Sequence, residues 1–167
     1  LAWAIHLQGG SPLAVAAAFA TAIVLVNAWN FMDGIDGLAT TQALLCALGF
    51  AVVLGGGWRL LALVVAGACL GFLPFNLPRA KVFLGDVGSY AIGALIVTLG
   101  VVGWSQEVPL ALCVAPLAVY VADTGWAIVK RARGGRALMD AHREHVYQRL
   151  VDGGWSHLAA GLTTAGA

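Results

Sequence analysis

Long apolar runs, broken only by a few short polar clusters, dominate the sequence, and no other feature restricts its fold as strongly. A helix needs about 20 largely apolar residues to cross a bilayer, where every backbone N–H and C=O must find its partner inside the chain. The runs cover residues 13–26, 38–54, 60–75, 87–104 and 108–129, and a last one opens at 155 and stops at 167, too short to span. They predict an all-α, polytopic transmembrane helix bundle: five full spans and a truncated sixth in a single integral membrane domain over 1–167. Composition agrees, with 60% hydrophobic and 10% charged residues and a mean hydropathy of +0.88, against roughly 25% charged in soluble domains. A water-soluble globule, a disordered chain and a disulfide scaffold are excluded, and membrane lipid becomes the first partner. A net charge of +1 leaves no nucleic-acid footprint. The start at Leu1, with no Met and no basic region, argues against a signal peptide, and both ends read as cut.

Turn chemistry punctuates the runs. Ser11 and Pro12 read as a helix start, Gly55-Gly56-Gly57 as a tight turn, Pro74 and Pro78 as the end of the third span, and Ser105-Gln106-Glu107 as a second short turn. Five alternating spans put the polar clusters 27–36, 76–86 and 130–156 on one face of the membrane and the two short turns on the other. Arg79, Lys81, Lys130, Arg131, Arg133, Arg136, Arg143 and Arg149 then share the first face, and only Arg59 the second. The bias of cytoplasmic loops toward Lys and Arg makes the first face cytoplasmic. Cys46, Cys69 and Cys113 each lie inside an apolar run and read as small buried hydrophobes. Trp3, Trp29, Trp58, Trp104 and Trp155 mostly mark span ends, as an aromatic belt would, whereas Trp126 reads as packing.

Three clusters need a chemical explanation. Asn27, Asn30, Asp33 and Asp36 recur every three residues, so at a helix end they are expected to project close to one face. Acids at a helix C-terminus oppose its dipole, which favours cations there. A plain helix stop with Gly34 and Gly37 explains less than a site does, and two carboxylates with two amides suit Mg²⁺ and phosphate. Phe83-Leu84-Gly85-Asp86-Val87-Gly88-Ser89 sets one acid just before the fourth span, between glycines that let backbone amides approach a ligand. Asp86 is either a routine cap or, since topology puts it beside Asp33 and Asp36, part of the same site. His142, Arg143 and His145 read as a cationic, hydrogen-bonding clamp for phosphate or sugar oxygens rather than a solvated amphipathic helix; a zinc site, with Glu144 nearby, lacks a convincing third ligand. Asp123, inside the fifth run, implies a partner or an aqueous cleft that the sequence does not name. His6 and His157 read as ordinary interfacial residues.

Taken together, Asn27-Ala-Trp-Asn30-Phe-Met-Asp33-Gly-Ile-Asp36, Phe83-Leu-Gly-Asp86-Val-Gly-Ser89 and His142-Arg-Glu-His145-Val-Tyr-Gln-Arg closely resemble the polyprenyl-phosphate N-acetylhexosamine-1-phosphate transferases. That superfamily includes the phospho-MurNAc-pentapeptide transferase of peptidoglycan synthesis and enzymes initiating O-antigen and related glycans. The resemblance covers essentially the whole sequence, which would correspond to the C-terminal half or so of a member. It implies a multi-pass enzyme of the bacterial inner membrane, with cytoplasmic loops forming the active site. A UDP-N-acetylhexosamine would give its sugar 1-phosphate to a polyprenyl phosphate such as undecaprenyl phosphate, with Mg²⁺, for which Mn²⁺ could substitute, and UMP would leave. A homodimer is compatible with it.

By the resemblance, Asn30 and Asp86 would hold the metal and pyrophosphate, Asp36 and Phe83 the uracil, and Asp33 would line the catalytic pocket. Asn27 would join the substrate-binding set. His142, Arg143 and His145 would contact pyrophosphate and sugar, in the pattern of the glycan-initiating branch. The catalytic group is thus Asp33, Asp86, His142 and His145. The family's upstream pair of adjacent aspartates has no counterpart from Leu1 onward, so this stretch alone is expected to bind rather than turn over. The physics is consistent: joining two phosphates brings like charges together, which a metal and cationic side chains must neutralise. Two rivals are a transporter or channel lined by acids, which predicts polar residues reaching both faces, and a CDP-alcohol phosphotransferase, which leaves the two later clusters unexplained.

Overall fold

Why the chain folds as it does is clearest at the breaks between its apolar runs. The computed structural model describes residues 11–134 and 146–165, and among them every regular element is a helix. These are α1 (Pro12–Phe31), α2 (Leu38–Val53), α3 (Gly56–Asn76), α4 (Gly85–Ser105), α5 (Leu110–Arg133), α6 (Val146–Asp152) and α7 (His157–Ala165). Pro12 opens α1, where its missing N–H costs nothing, and the Val15 amide bonds Ser11 O at 3.1 Å. The glycine turn is shorter than expected: α3 starts at Gly56 rather than near residue 60. Pro74 does not end α3, which runs two residues further and closes with Leu77 N on Leu73 O at 2.8 Å.

Among the described residues, α3 and α4 are long and apolar enough to cross a membrane, while the apolar stretches Ala18–Phe31 and Leu38–Val53 are shorter. Hydrogen bonds tie opposite ends of the helices together in the way alternating spans require. At one end Gly55 N donates to Gln106 Oε1 at 3.1 Å, joining the two short turns. At the other end the polar loops 32–37 and 77–84 meet, and the candidate site lies there.

Between these ends α2 packs on α3, α1 on α4, and α4 on α2. Trp29, Met32, Leu38, Phe50, Ile96, Leu99 and Tyr120 form the centre of the core. A β-carbon added at Gly93 would lie 2.9 Å from Trp29 Cβ, so only glycine lets α4 come this close to α1. The Trp29 ring in turn meets Tyr120 of α5 at a centroid distance of 4.8 Å, tilted by 53°. Trp29 is therefore a fully buried packing residue and not part of an aromatic belt, whereas Trp58, Trp104 and Trp155 are exposed. Trp126, expected to pack, is exposed too. The three cysteines are free and buried, as expected of small hydrophobes.

Past α5 the chain returns to the bundle. Asp123 is buried, and its Oδ1 accepts the Val146 amide at 2.9 Å, so α6 begins on a carboxylate of α5. The Gly153 and Gly154 turn follows, and α7 starts with Ala159 N bonded to Ser156 Oγ at 3.1 Å. It packs on α2 and α6.

Candidate active site

The site forms where the end of α1 meets the start of α4. Asn30 lies in the last turn of α1, and its Nδ2 donates to Ser89 Oγ at 2.7 Å and to Asp86 Oδ1 at 3.3 Å. Ser89 Oγ donates back to the Asp86 carbonyl at 3.3 Å, closing the clasp within the first turn of α4. With its N–H groups committed, Asn30 keeps Oδ1 as the atom it can offer a cation or a donor. Gly85, at φ +60°, takes the left-handed backbone that turns the chain into α4 and sets Asp86 in its first turn. An acid in the first turn also suits the positive end of the helix dipole.

Helix α1 stops at Phe31, so Asp33 and Asp36 do not extend a helical face as their spacing predicts. A turn brings them in instead, opening with Asp33 N on Asn30 O at 3.1 Å. Gly37 ends it at φ +74°, pressed so closely on the Leu77 side chain that a β-carbon would lie 2.2 Å from Leu77 Cγ. Partial burial, and then the negative charge of Asp86, push the Asp33 carboxyl up to about 6.

Asp36 is held on one oxygen: its Oδ2 accepts Ala80 N at 3.1 Å and stands 3.2 Å from His157 Nδ1. Asn76, buried at the end of α3, accepts from Thr40 Oγ1 at 2.9 Å and donates to Val82 O at 3.0 Å, which fixes the loop before α4.

These elements enclose a cleft of about 230 Å³, lined by Asn30, Asp33, Gly34, Ile35, Asp36, Asn76, Phe83, Leu84, Gly85 and Asp86. Five of the residues expected in the site from sequence therefore meet here: Asn30, Asp33, Asp36, Phe83 and Asp86. Phe83 is 71% exposed, so its ring is open to a flat partner. Asn27 does not line the cleft; its amide bonds Ile23 O at 2.8 Å and accepts from Tyr90 OH at 3.3 Å. His142, Arg143 and His145 lie outside the described residues.

Three participants lie outside the site residues expected from sequence, and His157 is a partner of Asp36 rather than the ordinary interfacial residue the sequence suggests. Ser89 and Asn76 are neutral, so their burial signals no electrostatic cost, and His157 stands far along the chain from Asp36. A neighbouring cavity of about 450 Å³, lined in part by Arg79, Lys81 and Ser156, puts two cations beside the acidic cleft.

Two carboxylates and an amide oxygen, from Asp33, Asp86 and Asn30, are hard donors suited to Mg²⁺. Among the described residues no group of three or more His, Cys, Asp or Glu side chains could hold a metal. Mg²⁺ usually keeps several waters, so two carboxylates and one amide oxygen would leave the rest of its shell open.

Over residues 4–104 the chain matches the family model of glycosyl transferase family 4. It is 37% identical over 169 residues to the decaprenyl-phosphate N-acetylglucosaminephosphotransferase of Mycolicibacterium smegmatis, an alignment that covers 86% of this chain and 42% of that protein. It is 34% identical over 164 residues to the enzyme of the same name from Mycobacterium leprae, covering 83% and 41%. The phospho-N-acetylmuramoyl-pentapeptide-transferase of Mycobacterium sp. (strain KMS) is 33% identical over 166 residues, covering 80% and 44%. The chain thus spans about two fifths of the length of the curated relatives it matches.

Proposed function

Because the chain belongs to glycosyl transferase family 4, we propose that it is part of a membrane enzyme moving an N-acetylhexosamine 1-phosphate from a UDP-sugar to a polyprenyl phosphate, releasing UMP. The observation that carries this reading is the clasp of Asn30 on Asp86 and Ser89, which joins two motifs 56 residues apart into one oxygen-lined cleft. A structural subunit or an ion path needs no such convergence at one end of the helices. The names of the M. smegmatis and M. leprae relatives support a polyprenyl phosphate acceptor and an N-acetylglucosamine phosphate group. The products would enter O-antigen or other cell-envelope glycans.

In this reading an oxygen of the acceptor phosphate bonds to the sugar-bearing phosphorus while the bond from that phosphorus to the UMP oxygen breaks. Mg²⁺, when bound, neutralises the phosphates as their charges are brought together. Asp86 and Asn30 Oδ1 would hold it, with Ser89 keeping Asn30 in that orientation. Asp33 adds a second carboxylate to the cleft, and burial together with Asp86 makes its charge costly until a cation arrives. Asp36 offers its remaining oxygen to an N–H of the base, and the exposed Phe83 ring offers a face on which the base can stack. His142, Arg143 and His145 are proposed to hold pyrophosphate and sugar. The five-span topology, with the cleft at the cytoplasmic face, lets the prenyl chain stay in lipid while its phosphate reaches the site.

UMP release from UDP-N-acetylglucosamine, by membranes carrying the full-length protein, tests the reading. Release is expected only when a polyprenyl phosphate and Mg²⁺ are both present. Failure of the protein to bind UMP would defeat the reading and favour a transporter.

A further inference from the structure

We infer that His157 is a positioning residue for the base-recognising end of the cleft, holding Asp36 so that its second oxygen faces the ligand. The inference rests on the proposed uridine-nucleotide reading and adds to it a residue from the last helix. Asp36 Oδ2 accepts the Ala80 amide at 3.1 Å and lies 3.2 Å from His157 Nδ1. Two donors on one oxygen leave Oδ1 as the acceptor available to a ligand, and Asp36 lines the cleft. The carboxylate side chain is 18% exposed and the imidazole 41%, and Asp36 lines the cleft whereas His157 does not.

One atom thereby ties together three segments distant in sequence: the turn after α1, the loop before α4 and the start of α7. His157 is the first residue of α7, and α7 is packed on α2, which begins two residues after Asp36. A rigid helix on a rigid neighbour fixes the imidazole where a loop would not. The chemistry selects one class of base. An aligned, solvent-poor carboxylate oxygen accepts from a ring N–H, as uracil offers at N3, and repels the bare ring nitrogen that cytosine presents there. Without His157 only the Ala80 N–H holds Oδ2 and the carboxylate turns more freely about its terminal torsion, so a loss of discrimination is expected ahead of a loss of turnover.

The test uses the full-length protein in detergent, with calorimetric titration of UMP and CMP and steady-state kinetics with a UDP-sugar. His157→Ala is expected to weaken UMP about tenfold, to narrow the UMP-over-CMP preference by a similar factor, and to raise the donor KM while kcat stays within about twofold. His157→Asn puts an amide N–H where Nδ1 stood and is expected to restore the preference. His157→Gln, whose amide lies one bond further out, is not. Unchanged UMP affinity and preference in His157→Ala would overturn the inference. So would a fall in kcat and Tm with the preference intact, which is what a purely structural staple would give. Absence of UMP binding by the wild-type protein would instead strike the proposed function itself, and the two failures are distinguished by the wild-type titration.

Discussion

At the scale of single residues, the cleft concentrates acids that the unliganded protein does not fully compensate. Asp33 illustrates the cost, since its carboxyl is raised from the ordinary 3.8 to about 6. Between those values the folded chain keeps a proton that the unfolded chain has released, so stability falls as the pH rises through this window and stays lower above it. Asp33→Asn removes the penalty. In EDTA the variant is expected to be more stable than wild type by about 1 kcal/mol at pH 7.5, after discounting for solvent screening, and equal to it near pH 4. Thermal melts at the two pH values check this, and equal melting temperatures at pH 7.5 would contradict it. Asp86→Asn separates metal handling from folding. It should lower Mg²⁺-dependent turnover by at least about a hundredfold while membrane insertion is unchanged; near-normal rates would remove Asp86 from the metal site. The acids of the cleft were legible in the sequence because a charge at a membrane helix end is expensive and demands a reason. Ser89, Asn76 and His157 carry no such signal in one dimension.

At the scale of elements, the spacing of two motifs becomes a site only because α1 and α4 lie very close together. Gly93 of α4 faces Trp29 of α1, one position before Asn30, and its missing side chain sets the separation of the two helices. In lipid, small residues at such crossings matter more than apolar area, since the surrounding solvent is itself apolar. Gly93→Val is therefore expected to push the helices apart, lower Tm by several degrees and stretch the Asn30 contact to Asp86 and Ser89. Mg²⁺-dependent UMP binding should weaken along with it. A variant with a lowered Tm and normal ligand affinity would show that the clasp does not depend on this crossing. Element identity was legible from the apolar runs, and boundaries were not. Helix α1 runs past the first polar residue because Asn27 and Asn30 find partners across the bundle, at Tyr90, Asp86 and Ser89. Helix α3 passes through Pro74, which forgoes one N–H bond to the preceding turn while the helix still closes with Leu77 N on Leu73 O. The three-residue spacing of the asparagines and aspartates suggested one helical face, but the chain brings the aspartates in through a turn that Gly37 makes possible.

At the scale of the whole molecule, two independent observations assign the same ends to the helices. The pairing of Gly55 with Gln106 brings the two short turns together, and the contacts Asn30–Asp86 and Asp36–Ala80 bring the polar loops together at the other end. In the proposed topology eight of the nine Lys and Arg residues would fall on the site's side of the spans, and the inside-positive bias would then make that side the cytoplasm. In the proposed function the donor would be a charged nucleotide sugar that does not cross the bilayer unaided, so a site on that face would reach it directly while a lipid acceptor would approach from within the membrane. The assignment can be tested without any assay of activity. The native cysteines are buried, so a cysteine placed at Arg79, in the loop before α4, or at Ser105, at the far end of that helix, would be the one readily labelled. A membrane-impermeant maleimide added to intact spheroplasts is expected to modify Ser105→Cys and spare Arg79→Cys. In inside-out vesicles the pattern should reverse. Labelling of Arg79→Cys from outside would place the acidic cleft on the non-cytoplasmic face, where no nucleotide donor is made, and would require either another substrate or another arrangement of the spans.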